Sequence, residues 1–256
     1  RYKARVNQVL IENGQAVGVK LADGETIQAK RVISNATRWD TFSGDTNSSA
    51  SRAGQALVDE AHTPARDSFW RRRYVPSPSF LSLHLGVRAD LIPAGMHCHH
   101  LLLEDWERME DEQGVIFVSM PSLLDPDLAP EGHHIVHTFT PSSMEAWQGL
   151  SPTDYRAKKE ADAARLIQRL EAILPGLSGA ITHKEIGTPR SHRRFLGRFQ
   201  GSYGPIPAMQ LPGLLPMPFN RTGVRNLYCV GDSCFPGQGL NACLLYTSPS
   251  PRDFTE

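Results

Sequence analysis

The stretch from Asn226 to Ala242 reads Asn-Leu-Tyr-Cys-Val-Gly-Asp-Ser-Cys-Phe-Pro-Gly-Gln-Gly-Leu-Asn-Ala and concentrates groups with chemical uses. Leu227 to Val230 is a short apolar run, of the kind that forms a strand covered on both faces. Gly231 removes the side chain where that strand ends. Asp232 then offers a carboxylate, which can accept from several hydroxyl or N–H donors at once. At Gly237 and Gly239 the bare main chain lets a flat ring approach closely. A helix starting near Gly239 would direct its free N–H groups and positive dipole end at that ring. These parts suit a planar cofactor carrying hydroxyls and developing negative charge.

Other readings of the same residues stand beside this one. Gly237-Gln238-Gly239-Leu240-Asn241-Ala242 satisfies the G-x-G-x-x-G/A dinucleotide fingerprint, but that fingerprint follows its strand directly and is trailed by an acid about twenty residues on. Here six residues separate Val230 from Gly237, and the chain stops at Glu256. A plain Gly/Pro turn between a strand and a helix is the bland alternative. Ser233 and Cys234 follow an acid, yet the G-x-S-x-G elbow of a nucleophilic serine is absent. His97-Cys98-His99-His100 and His133-His134 with His137 invite a metal, but alternate residues of a strand face opposite ways and metal ligands must converge. No metal is expected.

Several stretches, in order along the chain, are similar to one family. They are Val32-Ile-Ser-Asn-Ala-Thr-Arg-Trp-Asp-Thr41, Phe80-Leu-Ser-Leu-His-Leu-Gly86, Leu123-Leu-Asp-Pro-Asp-Leu-Ala-Pro-Glu-Gly-His-His134, Trp147-Gln-Gly-Leu-Ser-Pro152, Gly187-Thr-Pro-Arg-Ser-His-Arg-Arg-Phe-Leu-Gly-Arg198 and Tyr203-Gly-Pro-Ile-Pro207. With the Asn226–Ala242 motif they resemble the carotenoid isomerases among the phytoene desaturase-like, FAD-dependent amine oxidase superfamily. The resemblance runs from about Tyr2 to Ala242. It implies an α/β fold, with part of a Rossmann-like FAD-binding domain and a substrate domain of α+β character built from a β-sheet and helices. On that basis residues 1–42 belong to the FAD domain, 43–219 bind substrate and 220–242 are the C-terminal FAD motif.

The resemblance also implies roles. The cofactor would be FAD, in its reduced form for activity. The backbone at Val6 would lie beside the adenine, and Asn35 and Ala36 would end a returning strand near the cofactor. Gly231 and Asp232 would meet the ribityl–pyrophosphate region. Gly237, Gln238, Gly239, Leu240 and Asn241 would back the isoalloxazine, where a helix terminus stabilises negative charge. The implied reaction is a redox-neutral cis-to-trans isomerisation of a poly-cis carotene. Arg193, Arg194 and Arg198 are weak catalytic candidates, as groups able to stabilise flavin charge or shape the cavity. A carotenoid partner, peripheral membrane association and a plastid or cyanobacterial membrane surface come from the resemblance alone. The rivals are a carotene desaturase or retinol saturase-like enzyme on the same fold, and a non-enzymatic carrier of hydrophobic ligands.

Elements must position these residues. Ala4 to Ile11, Ala16 to Leu21 and Thr26 to Ser34 read as strands joined by Asn13-Gly14 and Asp23-Gly24, strong hairpin signals. Leu81-Ser-Leu-His-Leu85 alternates as a half-buried strand, and 115–120 and 134–139 are expected beside it in one sheet. Such a sheet would wall an apolar chamber. Ser151-Pro152 opens a helix with Asp154 in its first turn. Ala163, Leu166, Ile167, Leu170, Ile173 and Leu174 share one face, and Pro175-Gly176 stops it. Residues 205 to 219 read as an extended connector. Pro249 and Pro251 break the helix that the family carries after Ala242, so 243–256 is expected to be a non-native tail. With Arg1 at its start, the chain reads as a fragment whose dinucleotide loop lies upstream.

Bulk composition narrows the classes. The 256 residues are 40% hydrophobic, enough for a sizeable core. Lys plus Arg equals Asp plus Glu at 27 each, so no net field draws in nucleic acid or an anionic surface. Local charge is uneven: Lys184, Arg190, Arg193, Arg194 and Arg198 face only Glu185 across one segment. The four cysteines, Cys98, Cys229, Cys234 and Cys243, form no C-x-x-C pair and are too sparse for a disulfide framework. No apolar run approaches the eighteen or so residues of a membrane span.

Overall fold

The computed structural model describes residues 1–42, 56–109, 111–202, 208–209 and 218–234. In chain order the first half contains β1 (Val6–Glu12), β2 (Gln15–Leu21), β3 (Thr26–Gln28), β4 (Val32–Ser34), α1 (Arg38–Phe42), α2 (Ala65–Arg73), β5 (Tyr74–Val75), β6 (Ser79–Arg88), β7 (His99–Leu103) and β8 (Val115–Ser119). After these come β9 (His133–Ser142), α3 (Pro152–Leu170), α4 (Leu177–Ala180), β10 (Ile181–Gly187), α5 (Pro189–Leu196), β11 (Ala208–Met209) and β12 (Leu227–Cys229). The chain divides into two compact units, Arg1–Ser77 with Arg193–Glu256, and Pro78–His192.

The first unit opens on the antiparallel meander β1-β2-β3. Its first turn works because Asn13 and Gly14 both take positive φ, 49° and 72°, as a two-residue hairpin turn requires. The strand expected over Thr26–Ser34 is two strands. β3 pairs antiparallel with β2, whereas β4 pairs parallel with β12. The division falls at exposed Lys30 and Arg31. Ala29 N–H donates to Val17 O (2.9 Å), the last bond to the meander, and Val32 N–H donates to Asn226 O (2.8 Å), the first to the new partner. One β-prone run is shared between two sheets, so it must break between them. Val9, Ala16, Val32, Phe42, Val58, Val224 and Leu227 form this unit's core.

The second unit is a five-stranded antiparallel sheet in the order β10-β6-β9-β8-β7. Leu81, Leu83, Leu85 and Val87 alternate along β6 and bury against Leu166 and Leu170 of α3. Period 2 on the sheet thus meets period 3.6 on the helix. Trp147 is fully buried beside them, its indole N–H donating to Ser142 Oγ (3.0 Å). Ser151 Oγ accepts from Asp154 N–H (3.1 Å) and caps α3, with Pro152 at the first helical position. Regular helix ends at Leu170 rather than at Leu174. The next residues tighten into three-residue turns, with Ala172 and Ile173 N–H donating to Arg169 O and Leu170 O, before Gly176 turns the chain at φ 85°.

Candidate strand-end site

β4 and β12 are parallel and in register at Val32↔Leu227, Ile33↔Tyr228 and Ser34↔Cys229. Val230 N–H continues the ladder to Ser34 O (2.9 Å). Their carboxyl ends therefore open side by side, the edge of a parallel sheet where ligands bind. Gly231 there has φ 92°, and a Cβ built on it would lie 2.5 Å from Asn35 Oδ1. Only glycine fits: the conformation is left-handed, and the space is already filled by the Asn35 amide. Asn35 is exposed, while Ala36, Gly231 and Asp232 are half-buried.

Asp232 Oδ2 accepts from Arg198 Nη2 at 2.6 Å, and Arg198 Nε donates to Ser202 O at 2.6 Å. The two side chains are only 19% and 20% exposed, which makes this pair stronger than a surface ion pair. Among the arginine candidates, Arg198 is brought to Asp232. Arg194 is exposed and lies over the Phe195 ring, 5.4 Å from its centroid. Val6 sits at the start of β1 opposite Leu21. Gly237, Gln238, Gly239, Leu240 and Asn241 lie outside the described residues, as does the segment 243–256.

Three acidic and basic residues were not anticipated. Asp40 Oδ2 accepts from Thr37 Oγ1 and from Phe199 N–H (2.9 Å), while Trp39 stacks on Phe199 at 5.6 Å. This ties α1 to the segment carrying Arg198. Arg38 is buried: Nη1 donates to Asp67 Oδ1 (2.9 Å), Nη2 to Phe219 O (2.5 Å), and its N–H to Ser233 Oγ (3.1 Å). Asp67 Oδ2 in turn accepts from Gly223 N–H (2.7 Å). The pair thus links α1, α2 and the approach to β12. Burial works against the Arg38 charge, but Cys229, Cys234 and Asp67 more than offset it, so its affinity for the proton rises. The available signal was the pair of charged residues flanking Trp39 in Thr37-Arg38-Trp39-Asp40-Thr41.

A small cavity opens here, lined by Arg38, Trp39, Phe42, Trp70, Tyr74 and Ser233 among others. Burial pushes the Tyr74 hydroxyl up to about 12, with Arg38 pulling the other way. The histidines are dispersed: His100 bonds His97 O, His134 Nδ1 meets Ser122 Oγ (3.0 Å), and His137 stacks on His84 at 4.4 Å. Among the described residues no group of three metal-ligating side chains converges.

No protein-family model matches the chain. Over 244 residues, 94% of its length, it is 53% identical to the chloroplastic prolycopene isomerase of Arabidopsis thaliana. Over nearly all of its length the chain is similar to chloroplastic prolycopene isomerases. The corresponding protein of Daucus carota is 51% identical over 94% of the chain. The chain spans 39% and 38% of the length of these two relatives. Among solved structures, the cyclohexylamine oxidase of Brevibacterium oxydans superposes with a TM-score of 0.53, 12% identity, and 90% of this chain on 42% of that one. That likeness concerns the fold alone, which is α/β.

Proposed function

We propose that the chain forms the flavin-facing strand ends and the substrate-side sheet of an FAD-dependent isomerase that converts a poly-cis carotene, prolycopene in the named relatives, to its trans form. The observation that carries this is the parallel β4–β12 pair, whose carboxyl ends set Asn35 against a left-handed Gly231 with Asp232 beside them. The donor set fits FAD. The Asn35 amide both donates and accepts, and Asp232 is anchored by Arg198 through one oxygen, leaving its carboxylate able to take a ribityl hydroxyl. Residues 1–42 and 220–242 would hold the cofactor, with Val6 toward the adenine and Gly237–Asn241 behind the ring. Residues 43–219 would supply the substrate side.

FAD held by these residues would supply, in its reduced form, the reversible electron or proton exchange able to lower the order of a carotene double bond. The residues of this chain position and shield. Arg198, desolvated and held by Asp232 and Ser202, places a fixed positive charge near the strand ends, where it favours an electron-rich ring. Arg193 and Arg194 would add to that field. In the second unit, Phe80, Phe139 and Phe117 follow one another at 5.1 and 4.8 Å across neighbouring strands. They form an apolar, aromatic strip suited to a polyene. A chloroplast location and peripheral membrane contact, through which a hydrocarbon substrate would arrive, complete the proposal.

The test uses a protein spanning the full length of the relatives, incubated anaerobically with prolycopene and with flavin oxidised or reduced. Conversion only with reduced flavin, and no change in the number of double bonds, is expected. Equal conversion in both states removes the reduced-flavin requirement, and a colourless protein that takes up no flavin overturns the reading.

A further inference from the structure

We propose that the stacked imidazoles of His84 and His137 complete the polyene-binding face of the five-stranded sheet, and that protonating them expels the hydrocarbon. This rests on the carotene reading and adds to it a control by protons. The antiparallel register sets His99 opposite Ser119, Ser119 opposite His137, His137 opposite His84 and His84 opposite Glu185. One polar row thus crosses all five strands from β7 to β10. Leu83, Leu85 and Val136 alternate with these residues and bury in the core with α3, so the row lies on the other face. The next row on that face holds Phe117 opposite Phe139, with exposed Leu101 beyond Phe117. The rings make two stacked pairs: His84 on His137 at 4.4 Å and 12° between planes, and Phe117 on Phe139 at 4.8 Å and 11°. His137 and Phe139 join the pairs at 5.8 Å, and Phe80 meets Phe139 edge-on at 5.1 Å. The ring patch runs about 13 Å along β6, from Phe80 to His84, and about 10 Å across three strands.

A flat conjugated chain is the occupant that such a surface suits. Near-parallel ring planes offer it π faces, and a neutral imidazole packs there much as a phenyl ring does. Protonation changes the imidazoles and leaves the phenyl rings as they are. A hydrocarbon laid over an imidazolium strips water from a charge and supplies no hydrogen-bond partner in return, which disfavours the charged form. Bound polyene and the added protons therefore exclude one another, and by linkage the affinity falls as pH falls. His137 is half-buried, and burial, with His84 beside it, holds its imidazole below the ordinary value. On these strands the other titratable and charged groups sharing the face are His99 on β7, His133 on β9, Arg88 on β6, and His183 and Glu185 on β10. Glu185 lies 3.5 Å from His183, and Arg88, opposite His133 at the far end of β6, bonds Asp90. His134 belongs to the core face, where its Nδ1 meets Ser122 Oγ.

The experiment titrates a protein spanning the full length of the relatives with prolycopene in nonionic micelles, at steps from pH 8 to pH 5. Carotene that co-elutes with protein in gel filtration is read by absorbance, whichever isomer it has become, and circular dichroism checks the fold at each pH. The dissociation constant should rise roughly tenfold between pH 8 and pH 5. His84→Phe with His137→Phe keeps the rings and removes the protons. That double variant should bind as the parent does at pH 8 and hold the same affinity at pH 5. His84→Phe alone, at an exposed position, should lessen the fall even if the double variant does not fold. Phe117→Ala should weaken binding by the same factor at every pH. Affinity that is level with pH, or stronger in acid, overturns the proposal, as does an undiminished fall in the phenylalanine variants. Carotene that binds at no pH removes the carotene reading, and the proposal with it.

Discussion

Arg38 and Asp67 show what a buried charge demands of its neighbours. Removing one partner leaves the other desolvated and unpaired, which costs about 3–5 kcal/mol, whereas replacing both with apolar residues of similar volume is far milder. Asp67→Ala should therefore lower the urea midpoint strongly, read by the fluorescence of Trp39 and Trp70, which line the same cavity. Arg38→Met with Asp67→Leu should recover most of that loss. A single variant as stable as the parent contradicts the assignment of a buried pair. His137 gives a pH effect of opposite origin. Burial first, and then His84, hold its imidazole below the ordinary range. The folded state then resists protonation more than the unfolded chain does. Its contribution is complete above about 6.5 and fades as pH falls from there through the depressed folded value. Thermal melts from pH 8 to pH 5 should show this fall, and His137→Phe should flatten it.

Elements rest on a few local contacts that can be changed one at a time. Ser151 caps α3 through a single bond to Asp154 N–H, and Ser151→Ala should cost about 1 kcal/mol by denaturant titration. Gly231 joins β12 to the strand-end loop. Gly231→Ala meets both a left-handed φ and the Asn35 side chain, so it should cost about 1–2 kcal/mol from the backbone alone. Asn35→Ala in the same chain should relieve the steric part and leave the backbone part. An undisturbed Gly231→Ala would mean that Asn35 does not occupy that space. The strand signals of the meander were legible because Asn13-Gly14 and Asp23-Gly24 are short-range turns. The break at Lys30-Arg31 was not, because nothing in an eight- or nine-residue β-prone run says that its halves have different partners.

At the scale of the whole chain, the two units differ in how they are threaded. Pro78–His192 is one continuous segment with its own core, whereas the other unit joins Arg1–Ser77 to residues from Arg193 onward. Excised Pro78–His192 should fold and melt cooperatively by circular dichroism. Residues 1–77 alone should not, because β4 then lacks β12 and Arg38 lacks the carbonyls of Phe219 and Arg221.

Sequence alone determined the hairpin turns, the alternation of β6, the capped apolar-faced helix and the chemistry available in the loop after Val230. Each depends on neighbours within a few residues, so periodicity and turn chemistry reveal it. Tertiary structure decided that β4 lies parallel to β12, that Arg198 meets Asp232, and that Arg38 reaches Ser233 across 195 positions. Such pairings depend on which surfaces bury together when distant segments close on one another. No local pattern encodes that choice, because each partner is stabilised only by the other's presence.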